Sequence, residues 1–142
     1  MKILNKINIF SRAFLILTIA LLAISLSSCS KKTIFKTSTL IPSARGEVTV
    51  KKDANNNYNI ELNISYLAEP ERLNPPMKTY VVWLAGSDGY PMNIGQIVST
   101  SKLHVKFETV SATKPNRIFV TAETDATTQY PSNMMVLESE NF

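Results

Sequence analysis

The chain is poor in the residues from which most active sites are built. Its 142 residues include one cysteine, one histidine and four glycines. A single thiol excludes an intramolecular disulfide, and one cysteine with one histidine cannot supply the four ligands of a structural zinc site. His104 has no nucleophile beside it, and the chain has no glycine-rich phosphate loop. We therefore expect no metal, no dissociable cofactor and no enzymatic activity, and we interpret Glu69 and Glu71 as solubilising residues of a proline-rich loop.

The one cysteine follows an apolar segment near the N-terminus. Three basic residues precede the apolar run from Ala13 to Ile24, and small residues lead from that run to Cys29. Basic residues hold the N-terminus on the cytoplasmic side, and the run is shorter than the roughly 20 residues of a comfortable membrane span. We interpret residues 1–28 as a signal peptide. The alternative is an uncleaved anchor helix over residues 7–26.

The residues Leu26, Ser27, Ser28 and Cys29 resemble the lipobox of bacterial lipoproteins. In that family signal peptidase II recognises the three residues before the cysteine, the thiol carries a diacylglyceryl group, and the new amino group is often acylated, for example with palmitate. The resemblance implies a covalent diacylglycerol and N-acyl group on Cys29, which anchor the protein to membrane lipid. It implies a cell-envelope protein. Because Ser30 rather than Asp follows the cysteine, analogy with enterobacterial sorting favours the outer membrane, on its periplasmic or surface face, over the inner membrane.

Positive charge is concentrated beside the cysteine. The formal net charge is +4, yet from Gly46 onward 11 acidic residues outnumber 8 basic ones. The high isoelectric point therefore does not indicate a nucleic-acid partner. We interpret residues 29–45 as the lipidated cysteine and a basic tether, either attracted to anionic head groups or only solvated. Its membrane-proximal basic residues are Lys31, Lys32 and Lys36.

A two-residue period of apolar side chains dominates residues 46–142. It is clearest at Ile60, Leu62 and Ile64, which alternate with polar residues. Proline-containing loops and Asn, Asp and Gly turns separate about seven such segments, and no long helical pattern follows the signal. We predict an all-β fold, an immunoglobulin-like antiparallel β-sandwich of about seven strands after an N-terminal signal helix. We expect Trp83 to fill its core in place of a disulfide. Residues 33–40 of the tether are an alternative edge strand.

Several segments of this domain resemble the extracytoplasmic C-terminal domain of anti-sigma-K factors. They are Tyr80-Val81-Val82-Trp83-Leu84, Gly89, Asn93-Ile94-Gly95, Phe119-Val120-Thr121-Ala122-Glu123, Pro131 and Val136-Leu137. These are core and turn residues, so the resemblance implies a fold and not an activity. The zinc-containing sigma-binding domain of that family is absent from this chain, and a lipid anchor stands where the family has a transmembrane helix.

The functional prediction is a lipid-anchored, non-enzymatic envelope module that binds an unknown envelope protein or polymer. Tyr90 and Tyr130 lie in predicted loops and Phe119 on the outward side of its strand, so these three aromatics are the candidate binding surface. Core closure is the other interpretation of the two tyrosines. The alternative function is a small-ligand or glycan-binding lipoprotein that uses these loop aromatics.

Overall fold

The computed structural model describes residues 30–98 and 104–142, together with Ser11, Arg12, Phe14 and Ile16. The lipobox with Cys29 and almost all of the predicted signal helix therefore lie outside the described residues, and both stay predictions. Within the described part of the chain, no helix is long and apolar enough to cross a membrane.

The described residues form two antiparallel sheets of four strands each. The first sheet has the order β1-β2-β3-β6 and the second has the order β5-β4-β7-β8. A 3-10 turn, Pro70–Arg72, lies between β3 and β4. The strands are β1 (Ser30–Ile34), β2 (Arg45–Lys52), β3 (Tyr58–Ser65), β4 (Thr79–Ala85), β5 (Pro91–Ile97), β6 (His104–Ser111), β7 (Arg117–Glu123) and β8 (Met135–Glu138).

The two sheets pack face to face around one large core. Alternate residues of each strand point inward, as the two-residue period predicts. The first sheet contributes Val48 and Leu62, and the second contributes Tyr80, Val82 and Leu84, all fully buried. The chain crosses between the sheets after β3, β5 and β6. Because β2-β3-β6 faces β5-β4-β7-β8, the strand order is that of an immunoglobulin-like sandwich, and the predicted fold class is confirmed.

The segment interpreted as a tether belongs to the sandwich from Ser30 onward. β1 pairs with β2 from Ser30 opposite Lys51 to Ile34 opposite Glu47, so the edge strand lies at residues 30–34 and not at 33–40. After β1 the chain continues with Phe35, which is buried in the core and bridges to Ser139. Burying such apolar side chains stabilises by about 25 cal/mol per Å², a gain that an extended linker would lack.

Trp83 does not fill the main core, which corrects the prediction. Its neighbours Val82 and Leu84 point between the sheets, so strict alternation directs Trp83 to the opposite face of β4. There it forms a second, smaller cluster with Val81, Ala85 and Phe119, and all four residues are buried. The second sheet is therefore apolar on both faces, which explains why the sequence of β4 is apolar throughout.

Candidate functional site

A buried polar chain lies on the outer face of the second sheet. The indole N–H of Trp83 donates to the hydroxyl oxygen of Thr121 at 2.7 Å, and that hydroxyl in turn donates to Oε1 of Glu123. The same carboxylate oxygen accepts the backbone N–H of Ser132 at 2.8 Å. Thr121 is 0 % exposed and Glu123 is 5 % exposed. Buried polar groups of this kind hold one geometry because each lost hydrogen bond leaves an unsolvated partner.

The polar chain fixes the connection between β7 and β8, residues 124–134, which we name the β7–β8 loop. The Ser132 hydroxyl donates to the carbonyl of Ala122 at 2.9 Å and accepts the backbone N–H of Met134 at 3.1 Å. Thus one side of the loop is attached to the end of β7 through both the side chain and the main chain of Ser132.

The other side of the β7–β8 loop is attached to β5. The side-chain amide of Asn93 donates to the carbonyl oxygens of Ala126 and Thr128, at 2.9 and 3.0 Å. Asp125 closes the turn by accepting both the backbone N–H and the hydroxyl of Thr127 at 2.8 Å. These hydrogen bonds, with the backbone one foremost, lower the pKa of Asp125. The loop is thus attached to both β7 and β5 while its outer side faces solvent.

The three aromatics predicted as a binding surface do not form one patch. Tyr130 is 81 % exposed in the β7–β8 loop and Tyr90 is 75 % exposed in the β4–β5 connection, and these connections begin at opposite ends of the second sheet. Phe119 does lie on the outward side of β7, but it is only 3 % exposed. It stacks on Trp83, and the Arg117 guanidinium lies 5.1 Å from its ring centroid. Phe119 therefore supports the sheet, and the two tyrosines are separate exposed groups.

A second feature lies at the end of the sandwich where β1 begins. Ser30 pairs with Lys51 and Tyr58 pairs with Ser111, so the start of β1, the β2–β3 turn and the β6–β7 connection share this end. We name it the entry end. A depression of about 250 Å³ opens there. Its apolar part is formed by Val50, Tyr58, Pro115 and Phe142, and its rim by Lys31, Lys52 and Lys114.

The predicted membrane-proximal lysines are separated by the fold. Lys31 lies on the rim of the entry-end depression. Lys32 instead forms an ion pair with Glu47 at 2.8 Å, and Lys36 forms one with Glu138 at 3.3 Å. Lys52 and Lys114 lie far from Lys31 in the sequence, and nothing in their neighbouring residues marks them as candidates. They join Lys31 only through the pairing of distant strands.

The carboxylates and the histidine considered in the sequence belong to two surface features of the described residues. Glu69 and Glu71 line a depression of about 580 Å³ at the opposite end, where Glu69 accepts the Arg72 Nε–H at 2.7 Å in an exposed ion pair. His104 is exposed and its Nδ1 lies 2.8 Å from the Ser65 hydroxyl, so the expectation that no nucleophile stands beside this histidine is wrong. The Tyr66 ring lies 6.2 Å from that histidine, and no second acid or base among the described residues contacts it. In the same part of the chain, no group of three metal-ligating side chains comes together.

Comparison with known proteins does not assign the chain to a family. No family model, no curated protein and no solved structure matches the chain. The likeness to bacterial lipoproteins and to the anti-sigma-K domain therefore stays a prediction.

Proposed function

We propose that the protein is a lipid-anchored module of the bacterial cell envelope that binds an envelope protein or polymer and catalyses no reaction. The observation that carries the binding role is the buried chain from Trp83 through Thr121 and Glu123 to Ser132. These hydrogen bonds hold the β7–β8 loop against the sheet, and the loop carries an exposed aromatic side chain, Tyr130. Binding residues are commonly presented in this way, on loops positioned by a rigid scaffold.

The anchor is supported by the sequence order around Cys29. Leu26, Ser27 and Ser28 precede it as in a lipobox, and the sandwich begins one residue after it. Two or three acyl chains on that residue suffice for stable membrane attachment. The protein would then lie in the envelope, on the outer membrane in preference to the inner membrane.

An exposed tyrosine outside the described depressions fits a macromolecular partner better than a small ligand. Tyr130 and Tyr90 line none of the depressions described above, whereas a small-molecule site is normally concave and buries most of its ligand. Tyrosine is enriched at protein interfaces because its ring is apolar and its hydroxyl remains able to hydrogen-bond. The small-ligand or glycan alternative therefore has less support than a macromolecular partner.

Replacing Cys29 tests the anchor. In cells labelled with a radioactive fatty acid, we expect the wild-type chain to carry label and to sediment with membranes. The Cys29→Ser chain should carry no label and should either accumulate as the longer precursor or appear in the soluble envelope fraction. A wild-type chain that is membrane-bound without label would contradict a lipid anchor.

Site-specific crosslinking tests the binding surface. A photoreactive amino acid is placed at residue 130 and, as a matched control, at the exposed Val110 of the first sheet. We expect a discrete adduct in intact cells from position 130 and not from position 110. The adduct should weaken when Glu123→Ala releases the loop. Equal adducts from both positions, or none from position 130, would contradict a partner at this loop.

A further inference from the structure

Cations gather around the entry-end depression without acids among them. The ammonium groups of Lys31, Lys52 and Lys114 make no ion pair or hydrogen bond with any described residue. By contrast, the lysines at positions 32, 36 and 106 are each paired with a glutamate. The residues that line the depression include no Asp or Glu. The lining of the depression therefore carries net positive charge, while Asp88 on the adjoining β4–β5 connection accepts the backbone N–H of Tyr90.

The acidic residue next to Lys52 in the sequence accepts hydrogen bonds within the β2–β3 turn. Asp53 follows Lys52, but its Oδ1 accepts the backbone N–H groups of Asn55 and Asn57 at 2.8 and 2.9 Å. Those bonds direct the carboxylate into the β2–β3 turn. Asp53 therefore keeps its negative charge within the turn and forms no ion pair with Lys52.

Beneath the lysines the depression is apolar and ordered. Val50 is 8 % exposed and Pro115 is buried, while Tyr58 and Phe142 are half-buried. The backbone N–H of Phe142 donates to the carbonyl of Asn116 at 2.8 Å, which fixes the Phe142 main chain beside the β6–β7 connection. A cationic rim over an apolar floor matches a molecule that has an anionic head and an apolar body.

The direction of the chain places this end next to the residue that would carry lipid. Cys29 is joined to Ser30 by one peptide bond. Lys31 is the second residue of β1. No tether separates a lipid on Cys29 from the sandwich, so the entry end would lie at the bilayer surface and not tens of ångströms above it.

We propose that the entry end docks on the membrane, with Lys31, Lys52 and Lys114 binding the phosphate of an anionic phospholipid and the apolar floor contacting its glycerol and upper acyl region. The proposal deepens the proposed function and rests on it, since it takes residue 29 as the membrane attachment. It orients the sandwich, because the β7–β8 loop then leaves β7 at the end away from the bilayer.

Vesicle binding with a polarity-sensitive fluorophore tests this docking. The chain from residue 29 onward, without the predicted signal peptide, carries Cys29→Ser and one new thiol for the label, at Ala112→Cys in the β6–β7 connection or at Thr124→Cys beyond the end of β7. Both positions are exposed and lie at opposite ends of the sandwich. Vesicles contain phosphatidylcholine alone or with phosphatidylglycerol. We expect phosphatidylglycerol to shift the emission of the label at 112 to the blue and to leave the label at 124 unchanged.

Charge variants identify the residues responsible. Each lysine near an anionic surface contributes about fivefold, which corresponds to about 1 kcal/mol. Changing Lys31, Lys52 and Lys114 to Gln should therefore lower the ratio of docked to undocked protein about 100-fold. Changing the lysines at positions 32, 78 and 106 to Gln removes the same net charge and should have a much smaller effect. Raising the salt concentration should weaken docking, because exposed charges are screened.

Three results would overturn the docking proposal. The labels at 112 and 124 could respond equally, the two triple variants could behave alike, or millimolar inorganic phosphate could abolish the response and show a small-anion site instead. None of these depends on acylation, since residue 29 is serine in this experiment. Conversely, a wild-type chain without acyl label would contradict the anchor while leaving the vesicle result valid.

Discussion

The indole nitrogen of Trp83 lies 2.7 Å from the hydroxyl oxygen of Thr121, and both residues are fully buried on the face of the second sheet that points away from the main core. Trp83 on β4 and Thr121 on β7 are diagonal cross-strand neighbours, offset by two residues, since Trp83 pairs with Phe119 and Val81 pairs with Thr121. The contact connects the small apolar cluster to the carboxylate of Glu123. It therefore joins the stability of the sheet to the conformation of the β7–β8 loop.

Removing the Thr121 hydroxyl should destabilise the protein. Thr121→Val keeps the shape but leaves the Trp83 N–H without an acceptor and deprives Glu123 of one donor, which costs about 2–3 kcal/mol. Thr121→Ser keeps the hydroxyl and loses one methyl group, for about 1 kcal/mol. Urea unfolding followed by the fluorescence of the single tryptophan measures both free energies.

Hydrogen exchange separates the hydrogen bonds of Thr121 from its packing. The Trp83 indole N–H and the Ser132 amide should exchange with solvent faster in Thr121→Val than in Thr121→Ser, while amides of β2 and β3 keep their protection relative to global stability. If the valine variant is as stable as wild type, the polar chain contributes nothing to the fold.

Gly95 should tolerate a side chain less well than Gly89. Both have positive φ, +136° and +79°, a region that other residues enter at a cost. A Cβ at residue 95 would also lie 3.1 Å from the Phe107 ring, whereas one at residue 89 meets nothing within 4 Å. We expect Gly95→Ala to lower the free energy of unfolding by about 1–3 kcal/mol and Gly89→Ala by about 1 kcal/mol, both measured by urea unfolding.

Gly89→Asn is the matched control, because asparagine adopts positive φ more readily than alanine. Its melting temperature should lie between those of Gly89→Ala and wild type. Equal losses for Gly95→Ala and Gly89→Ala would show that Phe107 moves aside.

Tyr80 should make the protein less stable at high pH. Its ring is fully buried in the main core and its hydroxyl donates to the carbonyl of Ala68 at 2.9 Å. Burial, with a smaller contribution from the Glu71 carboxylate, raises the pKa of Tyr80 well above its ordinary value of about 10. Above about pH 10 the unfolded chain loses this proton and the folded chain keeps it, so the stabilisation present at lower pH is lost as the pH rises.

The comparison with Tyr80→Phe isolates this effect from other groups that titrate at high pH. At pH 8 we expect wild type to be more stable by about 1 kcal/mol, the value of a typical hydrogen bond. The difference in unfolding free energy should shrink and then reverse above about pH 10. A difference that does not change with pH would mean that Tyr80 ionises in the folded protein as readily as in the unfolded chain.

The alternation of apolar residues predicted most strands well because a strand's two faces repeat every second residue. Ile60, Leu62 and Ile64 are all buried as expected. The same rule already directs Trp83 away from its two neighbours in the main core, so its separation from that core was available in the sequence. Alternation cannot predict which segment covers that face of the second sheet. The β7–β8 loop, held by Asn93 and Glu123, lies on that side of the sheet.

β1 shows the reverse case. Its sequence, Ser-Lys-Lys-Thr-Ile, is mostly polar and exposed, so composition indicated a linker. Main-chain pairing with β2 makes it a strand, because ladder hydrogen bonds do not depend on apolar side chains. Phe35 then enters the core directly after it.

By itself the sequence determined the order of parts: a basic start, an apolar run, a cysteine in a lipobox-like setting and a series of strands with a two-residue period. These are local properties, set by neighbouring residues. Only the tertiary structure decided that the sandwich begins at Ser30, that Phe119 is covered, and that Lys31, Lys52 and Lys114 surround one depression. Such groupings depend on which distant strands pair and in which register, and non-local contacts of that kind leave no mark in the adjacent sequence.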